Sequence, residues 1–110
     1  KSGPDYIDPA FHRAASGIAS VNLDCWAMGQ GQIARLAEAA RDADVVLAEG
    51  SMGLFDGVVA PGECGTGASA DLAALLGWPV LLVLDDEVAV DEGQAQPLGE
   101  QPAAVVLPAP

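Results

Sequence analysis

The stretch QIARLAEAARDADVVLAEG, residues 32–50, carries the clearest structural signal in the chain. Its first part repeats apolar residues at spacings of three and four, which is typical of an amphipathic helix. These residues are Ile33, Leu36, Ala37 and Ala40. Its second part, DVVLAEG, is an unbroken apolar run, which predicts a parallel strand buried on both faces. A helix that leads directly into such a strand indicates an α/β protein.

The same alternation continues on both sides of this stretch. The Gly-rich residues 58–69 predict a long loop, and SADLAALLG predicts a helix with Ser69 as N-cap and Gly77 as its stop. WPVLLVLD, residues 78–85, predicts a second buried strand. Near the start, a short helix is expected from Pro9 to about Ala15. We therefore predict a parallel sheet with flanking helices and right-handed crossovers.

Composition excludes several classes of partner. The 110 residues are about one domain, 51% of them are hydrophobic, and the net charge is −12 with only four Lys and Arg. So acidic a chain offers no basic surface for nucleic acid or anionic lipid. No apolar run reaches the length of a membrane span and the start lacks a signal-peptide core, so we expect a cytoplasmic protein. A polyphosphate ligand would need Mg²⁺ or an external basic element.

Acidic residues follow the first predicted strand. Glu49 ends it, and the glycines of the next turn would allow Asp56 to come alongside. Two carboxylates at the carboxyl end of a parallel strand can hold Mg²⁺ together with substrate phosphates. A solvated loop with the same residues is an equally good interpretation of the spacing alone.

A second acidic segment, GPDYIDP, places Asp5 and Asp8 around Tyr6 and Ile7. Its prolines restrict the backbone and could orient the acids toward a ligand. Asp is also common in turns for local hydrogen-bonding reasons, and from the residues alone an acidic turn is the favoured interpretation.

His12 is the single histidine of the chain, so a hydrolytic Cys–His pair would need it together with Cys25 or Cys64. Neither cysteine lies in a strand-to-helix turn that would activate a thiolate. We therefore interpret all three as packing residues and expect both thiols to be reduced. Residues 86–110 are rich in Pro, Gln and Ala. There only AAVVL resembles a strand, so we divide the chain at residue 85 and assign the second part no function.

Four motifs in order, KSGPDYIDPAFH, SVNLDCWAM, EGSMGLFDG and ASADLAALLGWPVLLVLD, resemble the cobyrinic acid a,c-diamide synthases, including the hydrogenobyrinic acid form. The resemblance covers residues 1 to about 85. It implies the central, incomplete part of a P-loop-type ATP-binding domain similar to dethiobiotin synthetase. The motif G-x-x-x-x-G-K-[ST] is absent from this sequence and is expected upstream, with a glutamine amidotransferase domain downstream, so the chain alone is expected to be inactive.

The resemblance also implies a reaction, in which ATP, Mg²⁺ and glutamine-derived ammonia amidate the a and c carboxylates of a corrinoid through an acyl phosphate. It implies that Glu49 binds Mg²⁺ and that Asp56 is a second acid where ATP meets substrate. Asp5 and Asp8 would line the same cleft.

The remaining implied roles concern the substrate and the phosphate. Tyr6 and Ile7 would touch the corrin edge, and Lys1 would lie near the transferred phosphate. A homodimer is left open. Two alternatives to a ligase are a regulatory or partition-type P-loop ATPase and a non-catalytic α/β binding module.

Overall fold

The computed structural model describes residues 1–83 and the strand at residues 103–106. The described part contains three helices and three strands. In chain order they are α1 (Asp8–Ser16), α2 (Gln30–Glu38), β1 (Ala48–Glu49), α3 (Ser69–Leu76), β2 (Val80–Val83) and β3 (Ala103–Val106). All three predicted helices are therefore present, α1 and α3 with nearly the predicted ends, whereas α2 ends at Glu38, before Ala40 of the predicted apolar stripe.

Local signals explain where the helices begin and end. Pro9 lies in the first turn of α1, where its missing N–H costs nothing. Gly17 ends α1 and Gly77 ends α3, both in the left-handed conformation that glycine adopts without strain. The predicted N-cap is wrong, because Ala68 occupies that position and Ser69 is buried inside α3, donating from Oγ to the Ser2 Oγ at 3.3 Å.

The sheet differs from the predicted parallel one. β3 lies between β1 and β2 and is antiparallel to both, with Glu49 opposite Val105 and Leu81 also opposite Val105. The prediction is wrong for these pairs, although β1 and β2 still point in the same direction. The AAVVL segment that resembled a strand supplies β3, and it takes the place between the two strands that were expected to be neighbours.

Burial of the two apolar runs was also predicted incorrectly. All four residues of β2 are exposed, and the DVVLAEG run contributes only a two-residue strand, with Val45 and Leu47 about two-thirds exposed. Leu84 and Asp85, the predicted end of the second strand, lie outside the described residues. An apolar run shows that a segment tolerates burial, but burial also needs neighbours on both faces.

The core lies where α2 and α3 meet the segment before Trp26 and the start of β1. Ile33 and Leu72 are fully buried at its centre and Leu36 packs against it half-buried, so Ile33 and Leu36 of the predicted α2 stripe face the core. Cys25 is buried in the same cluster, and both cysteines are free thiols, as predicted. Among the helices of the described residues, none has the length and apolar character needed to cross a membrane.

Candidate active site

The first three residues join two segments that are distant in sequence. The Ser2 N–H donates to the Glu49 carbonyl at 2.8 Å, and the Gly3 N–H donates to the Leu23 carbonyl at 2.9 Å. Ser2 and Leu23 form a parallel bridge, and the Leu23 N–H returns a bond to the Lys1 carbonyl at 2.9 Å. This backbone arrangement fixes Lys1 beside the end of β1.

The Lys1 ammonium is surrounded by acids. Its Nζ lies 2.6 Å from Asp8 Oδ2, 3.6 Å from Glu49 Oε2 and 3.8 Å from Asp5 Oδ2, and it donates to the Gly50 carbonyl at 2.9 Å. We call Lys1, Asp5, Asp8 and Glu49 the lysine cluster. Three carboxylates around one cation leave the cluster with an excess of negative charge.

The lysine cluster keeps its central cation charged. The Lys1 side chain is only 5% exposed, and burial disfavours the ammonium form. The hydrogen bond to Asp8 and the negative charges of Glu49, Asp8 and Asp5 outweigh that burial and raise the pKa of Lys1. Lys1 therefore presents a fixed positive charge at neutral pH.

Asp5 organises the turn that leads into α1. Its Oδ1 accepts from the Ile7 N–H at 2.7 Å and from the Asp8 N–H at 3.2 Å. These backbone bonds, that from Ile7 foremost, hold the pKa of Asp5 below its usual value. The Asp5 carbonyl also accepts from Asn22 Nδ2. One carboxylate oxygen of Asp5 thus stabilises the turn, while the other faces Lys1. Asp5 is therefore both a turn residue and a partner of the lysine cation.

Tyr6 and Ile7 lie at the outside of this turn. Tyr6 is 88% exposed and Ile7 is 51% exposed, although side chains of this size and hydrophobicity are often buried in proteins. Their roles toward a corrin remain predictions, and the structure leaves both side chains accessible beside the lysine cluster.

Asp56 lies in a turn of its own. Its Oδ2 accepts from the Gly53 N–H at 3.0 Å, and its own N–H donates to the Gly53 carbonyl at 3.1 Å. The turn follows Met52, which has a positive φ of 55° although it is not glycine. The contacts that the structure gives Asp56 are thus local, and its predicted place beside Glu49 stays a prediction.

His12 contacts the lysine cluster, which corrects its interpretation as a packing residue. Its Nε2 lies 2.6 Å from Glu49 Oε2, and its Nδ1 lies 3.2 Å from Ser20 Oγ. The sequence contained one usable signal, since Asp8 and His12 are four residues apart on α1 and therefore share a face. The contact with Glu49 could not be predicted, because it joins residues 37 apart in sequence.

A cavity of about 640 Å³ is lined in part by Lys1 and Glu49. Its walls are mainly apolar and include Leu36, Leu47 and Trp78, and His12 also contributes to them. Two members of the lysine cluster are therefore next to a mainly apolar cavity.

The sequence of this chain is similar to that of a segment of several curated proteins. The hydrogenobyrinate a,c-diamide synthase of Rhodobacter capsulatus is 60% identical over 85 residues, which are 77% of this chain and 20% of that protein. The enzyme of the same name from Mesorhizobium japonicum is 60% identical over 87 residues, covering 77% of this chain and 19% of that protein. The cobyrinate a,c-diamide synthase of Thermoplasma acidophilum is 52% identical over 86 residues, with the same two coverages.

This chain is homologous to a segment of the cobyrinate and hydrogenobyrinate a,c-diamide synthases. The family resemblance of the four motifs is thereby confirmed. The chain spans about one fifth of the length of these synthases. No family model matches the sequence. No solved structure matches it either, so a P-loop or dethiobiotin synthetase-like fold stays a prediction.

Glu49 is the member of the lysine cluster best placed to reach a ligand, since its side chain is 46% exposed. Within the described ranges, no group of three or more His, Cys, Asp or Glu side chains is arranged to hold a metal ion. Mg²⁺ is usually bound by one or two carboxylates and completes its shell with water and substrate phosphates. A half-exposed Glu49 in an acidic cluster fits that mode of binding and does not fit a cage made by protein alone.

Cys25 does not belong to this chemistry. It is 2% exposed in the core, and burial raises the pKa of its thiol to about 11. A thiol that stays protonated at neutral pH is a poor nucleophile, which agrees with its interpretation as a packing residue.

Proposed function

We propose that this chain contributes to the ligase site of a cobyrinate or hydrogenobyrinate a,c-diamide synthase of cobalamin biosynthesis. In the proposed reaction, ATP activates the a and c carboxylates of the corrinoid, and ammonia released from glutamine in another domain converts them to amides. The names of the relatives support the substrate class. The observation that carries the proposal is the lysine cluster, a buried cation held by three carboxylates beside exposed apolar residues.

A carboxylate must be activated before ammonia can replace its oxygen. An oxygen of the substrate carboxylate attacks the γ-phosphorus of ATP, the bond to the β-phosphate oxygen breaks, and ADP leaves. Ammonia then attacks the carbonyl carbon of the acyl phosphate, phosphate departs with the electrons of the C–O bond, and the proton lost by the new amide nitrogen passes to the released phosphate or to water. Both steps place negative charge on phosphate oxygens, so a fixed cation nearby lowers both barriers.

Lys1 is the proposed source of that fixed charge. Its ammonium is charged at neutral pH for the reasons given above, and the bonds to Asp8 and to the Gly50 carbonyl hold it in one orientation. A cation that is oriented before the reaction needs no reorganisation when charge develops on the transferred group. Asp5 and Asp8 are proposed to line the cleft and to keep Lys1 in place.

Glu49 is the proposed ligand of Mg²⁺, which would neutralise charge on the ATP phosphates. Two features of Glu49 support the assignment, its exposure and the net negative charge of the lysine cluster around it. Asp56 is proposed as the second acid where ATP meets substrate.

Tyr6 and Ile7 are proposed to contact the corrin edge. They are exposed apolar side chains within three residues of Asp5 and Asp8, so a macrocycle packed on them would have its side-chain carboxylates close to the cluster. We also propose that the protein is cytoplasmic and that this chain alone is inactive. Both proposals rest on the similarity to the synthase family.

The change Glu49→Gln in the full-length protein tests the proposal. Gln is nearly isosteric but is a much poorer ligand for a hard dication. We expect amide formation to fall by about 100-fold or to require far more Mg²⁺, with glutamine hydrolysis and the melting temperature near those of the wild type.

Glu38→Gln is the matched control, because Glu38 is an exposed acid on α2 paired only on the surface with Arg41 at 2.8 Å. It should leave amide formation unchanged. Normal amide formation by Glu49→Gln at every Mg²⁺ concentration would refute the metal role.

A further inference from the structure

We infer that His12 is a positioning residue that holds the Glu49 carboxylate in the orientation required to bind a divalent cation. The inference rests on the proposed function, since it takes Glu49 as the cation ligand. It assigns a task to a side chain that lies outside the lysine cluster and that the reaction described above does not use.

The geometry defines which ring nitrogen of His12 donates. A carboxylate oxygen accepts hydrogen bonds only, so at 2.6 Å from Glu49 Oε2 the Nε2 atom carries the proton. In the neutral ring, Nδ1 is then an acceptor, and the Ser20 hydroxyl at 3.2 Å is its donor. The Glu49 carboxylate thus selects the tautomer, and the Ser20 hydroxyl, which can donate or accept, supports it.

The contact matters because Glu49 has a competing partner. Lys1 Nζ lies 3.6 Å from the same Oε2 atom, and a carboxylate on a flexible side chain would close that gap if nothing else held it. A salt bridge tightened in this way would direct Glu49 toward Lys1 and away from a cation. The shorter bond to His12 holds Oε2 in place instead. The imidazole ring of His12 on α1 therefore sets the orientation of the Glu49 carboxylate.

Residues behind a metal ligand commonly act in this way. Ligating side chains are themselves hydrogen-bonded, and loss of such a partner typically lowers metal affinity or activity 10- to 100-fold. His12 and Ser20 are arranged as such a supporting pair. His12 contacts the proposed metal-binding residue Glu49, and Ser20 contacts the other ring nitrogen of His12.

The test measures binding of Mn²⁺ to the full-length protein in the presence of a non-hydrolysable ATP analogue, with free Mn²⁺ followed by electron paramagnetic resonance. We expect His12→Ala to weaken Mn²⁺ binding by about 10-fold. His12→Gln should recover most of that loss, because the Gln amide nitrogen can replace Nε2 as the donor. Ser20→Ala should weaken binding by a smaller factor. Arg13→Ala, an exposed neighbour on α1, should leave binding unchanged.

A purely structural role predicts a different pattern. His12→Ala would then lower the melting temperature while Mn²⁺ bound normally, and this result would overturn the inference, as would a failure of His12→Gln to recover binding. In the Glu49→Gln background, His12→Ala should add nothing; a further 10-fold loss would show that His12 does not act through Glu49.

The same series separates the two levels of the argument. If Glu49→Gln weakens Mn²⁺ binding and His12→Ala does not, only the inference about His12 fails. If Glu49→Gln itself binds Mn²⁺ normally, the proposed metal role of Glu49 fails, and the role of His12 fails with it.

Discussion

The lysine cluster and the turn at residues 53–56 present acids in opposite ways. In the cluster, the carboxylate of Glu49 meets the buried ammonium of Lys1, 48 positions away in the sequence, and Asp8 meets the same ammonium. In the turn, the carboxylate of Asp56 reaches back three residues to the Gly53 N–H. A local bond stabilises a loop whatever surrounds it, whereas a long-range cluster exists only when the fold brings its members together. Acids of the second kind are the better evidence for a ligand site.

Lys1→Met should have the largest effect of the variants considered, since it removes the cation at the centre of the lysine cluster. We expect amide formation in the full-length protein to fall by about 1000-fold, within the range observed when a charged group that stabilises phosphoryl transfer is lost. We also expect a lower melting temperature, because three carboxylates are left without their partner.

The backbone hydrogen bond from Ile7 and the charge of Lys1 both hold the pKa of Asp5 below its usual value, so the part of the lost stability that comes from Asp5 should shrink as the pH falls and Asp5 is protonated. Melting temperatures between pH 3 and pH 8 measure this effect. A variant with unchanged melting at neutral pH would contradict the arrangement of the cluster, and one with normal amide formation would contradict the role of Lys1.

Asp56→Asn tests whether the turn at residues 53–56 has a role beyond its own stability. The variant removes the negative charge of Asp56 but keeps an oxygen that can form the turn. The Asn oxygen can still accept from the Gly53 N–H, so the turn should persist and the melting temperature should change little. If Asp56 also acts where ATP meets substrate, amide formation should fall by about 10- to 100-fold.

Asp56→Ala is the companion variant, since it removes both the charge and the turn bond. If Asp56→Asn is fully active and only Asp56→Ala is impaired, Asp56 is a turn residue and the two regions differ in function as well as in structure. Steady-state rates and melting temperatures of the two variants distinguish these outcomes.

Tyr6→Ala and Ile7→Ala give the smallest expected effect. Each truncation removes apolar surface worth about 1–2 kcal/mol if the corrin buries it, which would raise the KM for the corrinoid by about 10-fold. The KM for ATP should not change. Phe11→Ala, an exposed aromatic on the adjacent α1, is the control. A change confined to the KM for ATP would contradict the assignment.

The sequence predicted the local structure well. Spacing of apolar residues identified α2, Pro9 indicated where α1 begins, and Gly77 indicated where α3 ends. These features depend on residues within one or two turns of each other, so they can be interpreted without knowledge of the fold. The acids at the end of β1 and in the first turn were identified in the same way.

Long-range features could not be predicted with the same success. The position of β3 between β1 and β2 depends on which strand finds which partner, and a short apolar segment such as AAVV carries no signal for that choice. The contact between His12 and Glu49 likewise joins residues that are 37 positions apart and depends on the fold. Sequence reasoning singled out the four members of the lysine cluster and missed His12, and only the fold shows that these side chains meet.

The distance in sequence between Lys1 and Gly50 has a consequence for how the protein is made. The Lys1 ammonium and the Gly50 carbonyl are 49 positions apart, so a ribosome must release the whole intervening stretch before the two can pair. Closing a loop of that length costs entropy before any contact compensates for it. During synthesis, the nascent chain therefore carries Lys1, Asp5 and Asp8 before Glu49, and the lysine cluster can form only after Gly50 has been added and has left the ribosome.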